Sequence, residues 1–284
     1  MEDVAVDKED QAQKARVQAT FDRASPGYDR SPLRFFRKGA EQLVSFAAVE
    51  PGQRVLDVAT GTGWVALAAA AKVGPRGKVV GIDLSPGMLS KAREKARHRK
   101  LLNIAFRLGD VQRLPYRSAT FDTVLAAQAI FFMPHPLRAL REWRRVLKPG
   151  GCLAIASQGR MAFEPMMKMY WKLLKQRGVP VPSPSGPSFE TARECRRYLQ
   201  AAGLRDVWTS VTELGYRLSD VNAWWTIVRH TAMGGGIRRL APKDRPRFRR
   251  EHLQEVGSLC ARDGIPLPMP TIFAAGRKPE TRKK

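Results

Sequence analysis

A chain of 284 residues with 43% apolar and 27% charged side chains is long enough for one large domain and too apolar for global disorder. Its apolar runs, such as Leu125 to Met133, fall far short of a bilayer span. The net charge of +24 is unevenly spread, with 8 basic against 9 acidic groups up to residue 50, 18 against 6 over 51–150 and 24 against 11 beyond; it favours polyanions or anionic membrane surfaces without singling out a partner.

The opening ten residues are acidic and no apolar segment follows, so no secretion signal is expected and a reducing, cytoplasmic setting is. Lys8 to Ala24 reads as a polar helix and Pro32 to Ala48 as an amphipathic one, with Leu33, Phe36, Ala40, Leu43, Val44 and Ala47 near one face. After Pro51-Gly52 the chain alternates strand and helix. Strands are predicted at Arg54 to Val58, Lys78 to Ile82, Ile104 to Leu108, Thr120 to Gln128 and Cys152 to Ala156. The helices between them are Trp64 to Val73, a Ser85-capped helix to about residue 100, and Pro136 to Leu147. This alternation implies right-handed crossovers and a mainly parallel sheet covered on both faces.

Beyond Gln158 the rhythm breaks. Helices are predicted at Phe163 to Gln176, Phe189 to Ala202 and Pro242 to Ala261, strands at Val207 to Glu213 and Thr271 to Gly276, and Asp220 to His230 reads as an apolar, aromatic segment. Val179 to Pro187 reads as a loop and Arg277 to Lys284 as a frayed charged tail. Cys152, Cys195 and Cys260 are odd in number and lack close spacing, which gives no basis for a disulfide or a zinc site, and no metal is expected.

In an open α/β sheet, ligands bind outside the carboxyl ends of the strands where strand order reverses. Val55 to Gly63 marks that point: a strand runs into Thr60-Gly61-Thr62-Gly63, where glycine lets the backbone turn tightly and approach a ligand. Asp83, twenty residues on, can accept two hydrogen bonds from a ribose diol. Gly61 to Ala66 also fits a dinucleotide fingerprint, so the loop alone leaves the nucleoside open. Asp57 narrows the choice, because a pyrophosphate would be repelled by this carboxylate and a cationic cofactor would not.

The ordered set VLDVATGTG, GIDLS, GDVQRLPYRSATFD and RVLKPGG resembles the class I S-adenosylmethionine-dependent methyltransferases, in particular their UbiE/COQ5-like group, over about residues 20–158. Phe21 to Asp29 is similar to that group's segment closing over the cofactor. The resemblance implies a three-layer Rossmann-like α/β fold: a seven-stranded, mostly parallel sheet with an antiparallel last strand, and a helical cap after the fifth strand. It implies four segments: a helical lid (1–50), a cofactor-binding core (51–158), a variable cap with the sixth strand (159–240), and a C-terminal helix, last strand and basic tail (241–284). With S-adenosylmethionine as cofactor, Asp57, Gly61 and Gly63 would line its methionine part and Asp83 would hold the ribose. Leu84 and Met88 would flank the adenine, Asp110 and Val111 would contact its amine and ring, Gln128 would reach the methionyl end, and Tyr28 would lie over the sulfonium or the acceptor.

The sequence departs from that group at Ala129 to Pro136, where Phe131 stands in place of a frequent histidine and His135 where an acid often caps the helix. His135 is read as a cap, and no catalytic base is assigned. The Met161 to Trp171 helix, Trp224, Trp225 and Met233 to Gly236 read as a roof rich in methionine and aromatic groups. Tyr170, Trp224 and Trp225 are its expected pocket residues, and glycines 234–236 its expected hinge. The expected partner is a small, apolar or ring-bearing acceptor, with weak attraction to anionic membranes and no specific nucleic acid. Two alternatives stay open, an RNA methyltransferase and a cofactor-binding protein without methyl transfer. Against the first, Gln128 to Phe131 replaces the Asn/Asp-Pro-Pro-Tyr run of amino-directed base methylases.

Overall fold

The structure, a computed structural model, describes residues 2–181 and 188–280. Parts of the expected loop (182–187) and tail (281–284) lie outside them. Seven strands form one sheet: β1 (Arg54–Val58), β2 (Lys78–Asp83), β3 (Ile104–Leu108), β4 (Phe121–Ala127), β5 (Leu147–Gln158), β6 (Arg205–Glu213) and β9 (Pro270–Arg277). Their order is β3-β2-β1-β4-β5-β9-β6, with β9 antiparallel to both neighbours. Strand order reverses between β1 and β4, which opens a crevice at their carboxyl ends. The fold class read from the sequence is the one observed.

Alternation along the strands sorts side chains onto two cores. Val55, Leu125 and Ala154 meet α2 (Phe35–Phe46) and α3 (Trp64–Val73) on one face. Leu56, Val124 and Leu153 meet α5 (Pro136–Val146) and α7 (Ala192–Ala201) on the other. The long N-terminal helix α1 (Glu2–Ala24) packs beside α4 (Pro86–His98), which starts at Ser85, whose Oγ accepts from Met88 N at 3.1 Å. No described helix is long and apolar enough to cross a membrane.

The remaining elements build the roof: α6 (Met166–Gln176), α8 (Val221–Arg229), α9 (Gly234–Arg239) and α10 (Arg245–Gly257), with a ribbon of β7 (Tyr216–Leu218) and β8 (Ile265–Leu267). Helix α9 and the ribbon have no counterpart in the sequence reading. The three glycines of α9 do not form a loop hinge: a Cβ on Gly236 would meet Leu174 Cδ1 and Tyr170 OH, so glycine there allows close packing of α9 on α6.

Candidate active site

At the end of β1, Asp57 is 1% exposed. Its Oδ2 accepts from Thr60 Oγ1 at 2.5 Å and Ala66 N at 3.0 Å, while Oδ1 is buried with no partner among the described residues. Burial pushes this carboxyl up to about 7. The following loop holds Ala59, Gly61 and Gly63 at φ of 52°, 54° and 88°. A Cβ at Gly61 would meet nothing within 4 Å, so the loop leaves open space on its ligand side. Gly63 is buried beneath, where a Cβ would lie 2.9 Å from that of Ala92; it permits the turn into α3 and does not reach the cavity wall.

Gly61 N donates to Asp83 Oδ2 at 2.7 Å and Ser85 N to Oδ1 at 2.9 Å. Each carboxylate oxygen keeps an acceptor position, and burial raises the Asp83 pKa. Asp83, Leu84, Met88 and Val111 line one cavity; Asp57, Gly61 and Thr62 line an adjoining one. Asp110 stands off the wall of both, its Oδ1 accepting from Gln112 N at 2.8 Å and its Oδ2 paired with Lys14 at 2.8 Å.

Tyr28 and Gln128 border both cavities and a third. Gln128 adopts φ of 54° at the end of β4, and its Oε1 is buried without a partner among the described residues. Tyr28 stacks on Phe36 with ring centroids 4.6 Å apart and planes at 11°. Removal from solvent and the carboxylates of Asp83 and Asp29 raise its pKa.

Two acids that sequence reasoning left without a role tie the segment around Tyr28 to the core. Asp22 Oδ1 accepts from Ser85 Oγ at 2.5 Å and Gly87 N at 3.0 Å at the start of α4. Asp29 Oδ1 accepts from Thr62 Oγ1 and Trp64 Nε1, both at 2.7 Å, and its Oδ2 pairs with Lys95 at 2.7 Å. The signal was present, since both acids fall in the Phe21 to Asp29 segment. His135 occupies the N-cap position of α5, as expected, but its side chain makes no capping bond; its Nε2 instead lies 3.2 Å from Asp10 Oδ1 on α1.

The third cavity, of about 380 Å³, lies under the roof. Phe21, Phe36, Phe131, Phe163, Met167, Trp171 and Met233 supply its apolar surface, with Gln128, Gln158 and Thr231 as polar points. The expected pocket residues are corrected here. Tyr170 and Trp224 are 0% exposed and absent from this wall. Tyr170 OH donates to Met233 O at 2.5 Å, and Trp224 Nε1 to His252 Nε2 at 2.8 Å. Both satisfy their polar atoms inside the roof, as a buried phenol or indole must. Trp225 faces a separate hollow with Arg229 and Arg249. On α6 it is Met167 and Trp171, on either side of Tyr170, that reach the cavity.

The residues fit the implied cofactor. Two buried acceptors, Asp57 Oδ1 and Gln128 Oε1, lack donors beside one cavity, as an ammonium group would require. Asp83 offers acceptor positions where a diol would lie.

A methyltransferase-domain family model matches residues 49–180. The chain is 36% identical over 149 residues to the aklanonic acid methyltransferase DauC of Streptomyces sp. (strain C5), covering 52% of this chain and 68% of that protein. It is 33% identical over 171 residues to a demethylmenaquinone methyltransferase of Geobacillus kaustophilus, covering 58% and 73%. The solved structure of the YcgJ protein from Bacillus subtilis aligns with a TM-score of 0.57 at 22% identity, over 86% of this chain and all of that one, a likeness of fold.

Proposed function

Since this chain belongs to the class I S-adenosylmethionine-dependent methyltransferases, in their UbiE-like group, we propose that its acceptor is a small, apolar, ring-bearing molecule seated under the roof. The observation that carries this reading is the roof cavity of about 380 Å³, lined by aromatic and methionine side chains and sharing Tyr28 and Gln128 with the cofactor cavities. Two relatives named for aklanonic acid and demethylmenaquinone support a small organic acceptor.

In this proposal Asp83 accepts from the ribose hydroxyls, and Leu84, Met88 and Val111 enclose the adenine. Asp110 receives the adenine amine once Lys14 is exchanged. Asp57 and Gln128 supply their unpaired oxygens to the amino-acid end, and Gly61 keeps that end clear of side chains. When bound, the cofactor supplies a methyl group already activated by its sulfonium. The chain's part is then to exclude water and align the acceptor, which alone is worth several orders of magnitude in rate. Tyr28 separates the two ligands at the junction. No histidine lines the roof cavity among the described residues, so no proton-transfer role is assigned.

The test is transfer of a labelled methyl group to phenolic, quinol, lipid and RNA acceptors. S-adenosylhomocysteine should form with the ring-bearing molecules. Transfer to RNA alone would overturn the reading.

A further inference from the structure

A larger hollow, of about 660 Å³, opens to solvent between α8, α9 and α10. Its floor is apolar, made by Trp225, Ile237 and Leu253. Its rim is arginine: Arg229 at the end of α8, and Arg245, Arg249 and Arg250 on α10. Arg245 is anchored on the carbonyls of Leu240 and Arg238 at 3.1 Å each. Arg249 donates to Asn222 Oδ1 at 3.0 Å and lies 5.8 Å from the Trp225 ring. None of the four has a carboxylate partner among the described residues. The acids on α10 are engaged elsewhere, Glu251 with Arg177 and Arg247 and Glu255 with Lys172. Residues 221–257 carry eight basic and three acidic side chains.

An apolar trough rimmed by unneutralised guanidinium groups matches a molecule with an anionic head and an apolar body. The same helices also hold the roof cavity, since Thr231 to Met233, which join α8 to α9, form part of its wall. We propose that this groove seats the headgroup of an anionic phospholipid and docks the roof on an acidic bilayer, so that an apolar acceptor passes from lipid into the cavity. Docking stands on the groove alone; delivery of the acceptor rests on the function proposed above. A nucleic acid suits the groove less well, because its one aromatic ring, Trp225, is 8% exposed and offers no free face for a base.

Arg229 and Arg250 make no side-chain hydrogen bond or ion pair with another described residue, so Arg229→Glu/Arg250→Glu should fold normally, and its melting temperature checks this. Co-sedimentation with vesicles of one part phosphatidylglycerol to two parts phosphatidylcholine should show binding that pure phosphatidylcholine does not support. At about fivefold per arginine near an anionic surface, the double variant should bind at least tenfold more weakly. A control with Arg76→Glu/Arg97→Glu, of equal charge but outside the groove, should stay within twofold of wild type. Methyl transfer to a water-soluble acceptor should also stay within twofold in the groove variant.

Equal binding to neutral vesicles, no vesicle binding, or an unaffected groove variant would overturn the proposal. So would RNA binding that persists at physiological salt and is lost in the groove variant. A wild type that binds acidic vesicles but methylates no apolar acceptor overturns the function proposed above and leaves the docking surface standing.

Discussion

The two halves of the cleft are built in opposite ways. On the proposed cofactor side, polar atoms are fixed by hydrogen bonds among the strand ends and their loops: Asp83 by Gly61 N and Ser85 N, Asp57 by the Thr60 hydroxyl and Ala66 N. On the proposed acceptor side, apolar rings arrive from distant parts of the chain, Phe21, Phe36, Phe131, Phe163 and Trp171 among them. The first half resists change through hydrogen bonds and local geometry, the second through shape. Substitutions should therefore split cleanly between donor affinity and acceptor use.

The largest effect is expected outside both halves. Trp224→Ala empties a fully buried site and strands His252, costing about 3–5 kcal/mol and lowering Tm by roughly 10 °C. Thermal denaturation measures it; a stable variant with a raised acceptor KM would return Trp224 to the pocket. Next, Asp83→Ala should weaken donor binding by about 2–3 kcal/mol in calorimetry. Affinity within threefold of wild type would remove Asp83 from the donor half.

The third test uses pH. Asp57 is raised from 3.8 to about 7, so from this group alone stability is fullest below 3.8 and is lost as pH rises through 7. An ammonium ligand favours the ionised form, so binding of S-adenosylhomocysteine should strengthen by up to about tenfold per pH unit below 7 and level off above it. The slope should vanish in Asp57→Asn, and a flat wild-type profile would separate Asp57 from the ligand's amine. The smallest effect belongs to the acceptor half. Trp171→Ala should raise acceptor KM by about tenfold while donor affinity stays within twofold, as loss of a half-buried ring worth about 1–2 kcal/mol implies. Equal losses in both would break the division.

The same division explains what was legible in the sequence. Strands β1 to β5 and their loops follow from alternation, proline and glycine, because each element is decided by its own residues. Asp57, Gly61 and Asp83 were legible as neighbours of those loops. The roof was legible in part: α6 and α10 read as helices, α8 only as an apolar, aromatic segment and α9 not at all. Met167, Tyr170 and Trp171 are equivalent as apolar letters, and only packing on α9 and α10 decides which of them turns inward. The α7 boundary was within reach, since Thr191 and Glu194 form a capping box, with Glu194 N donating to Thr191 Oγ1 at 3.2 Å. The β7–β8 ribbon was not, because its strands are three residues long and lie far apart in the chain.

Tyr28 borders all three cavities, and Asp22 and Asp29 tie its segment to α4 and the glycine loop. A ring that closes one ligand's chamber and floors the other's does not let the two exchange independently. On the proposed assignment the donor enters first, the ring settles, and the acceptor follows; the methylated product leaves before S-adenosylhomocysteine. In initial-rate terms this is an ordered sequential scheme, with S-adenosylhomocysteine competitive against the donor and noncompetitive against the acceptor. Alanine at Asp29 frees the ring from the glycine loop, and the order relaxes toward random.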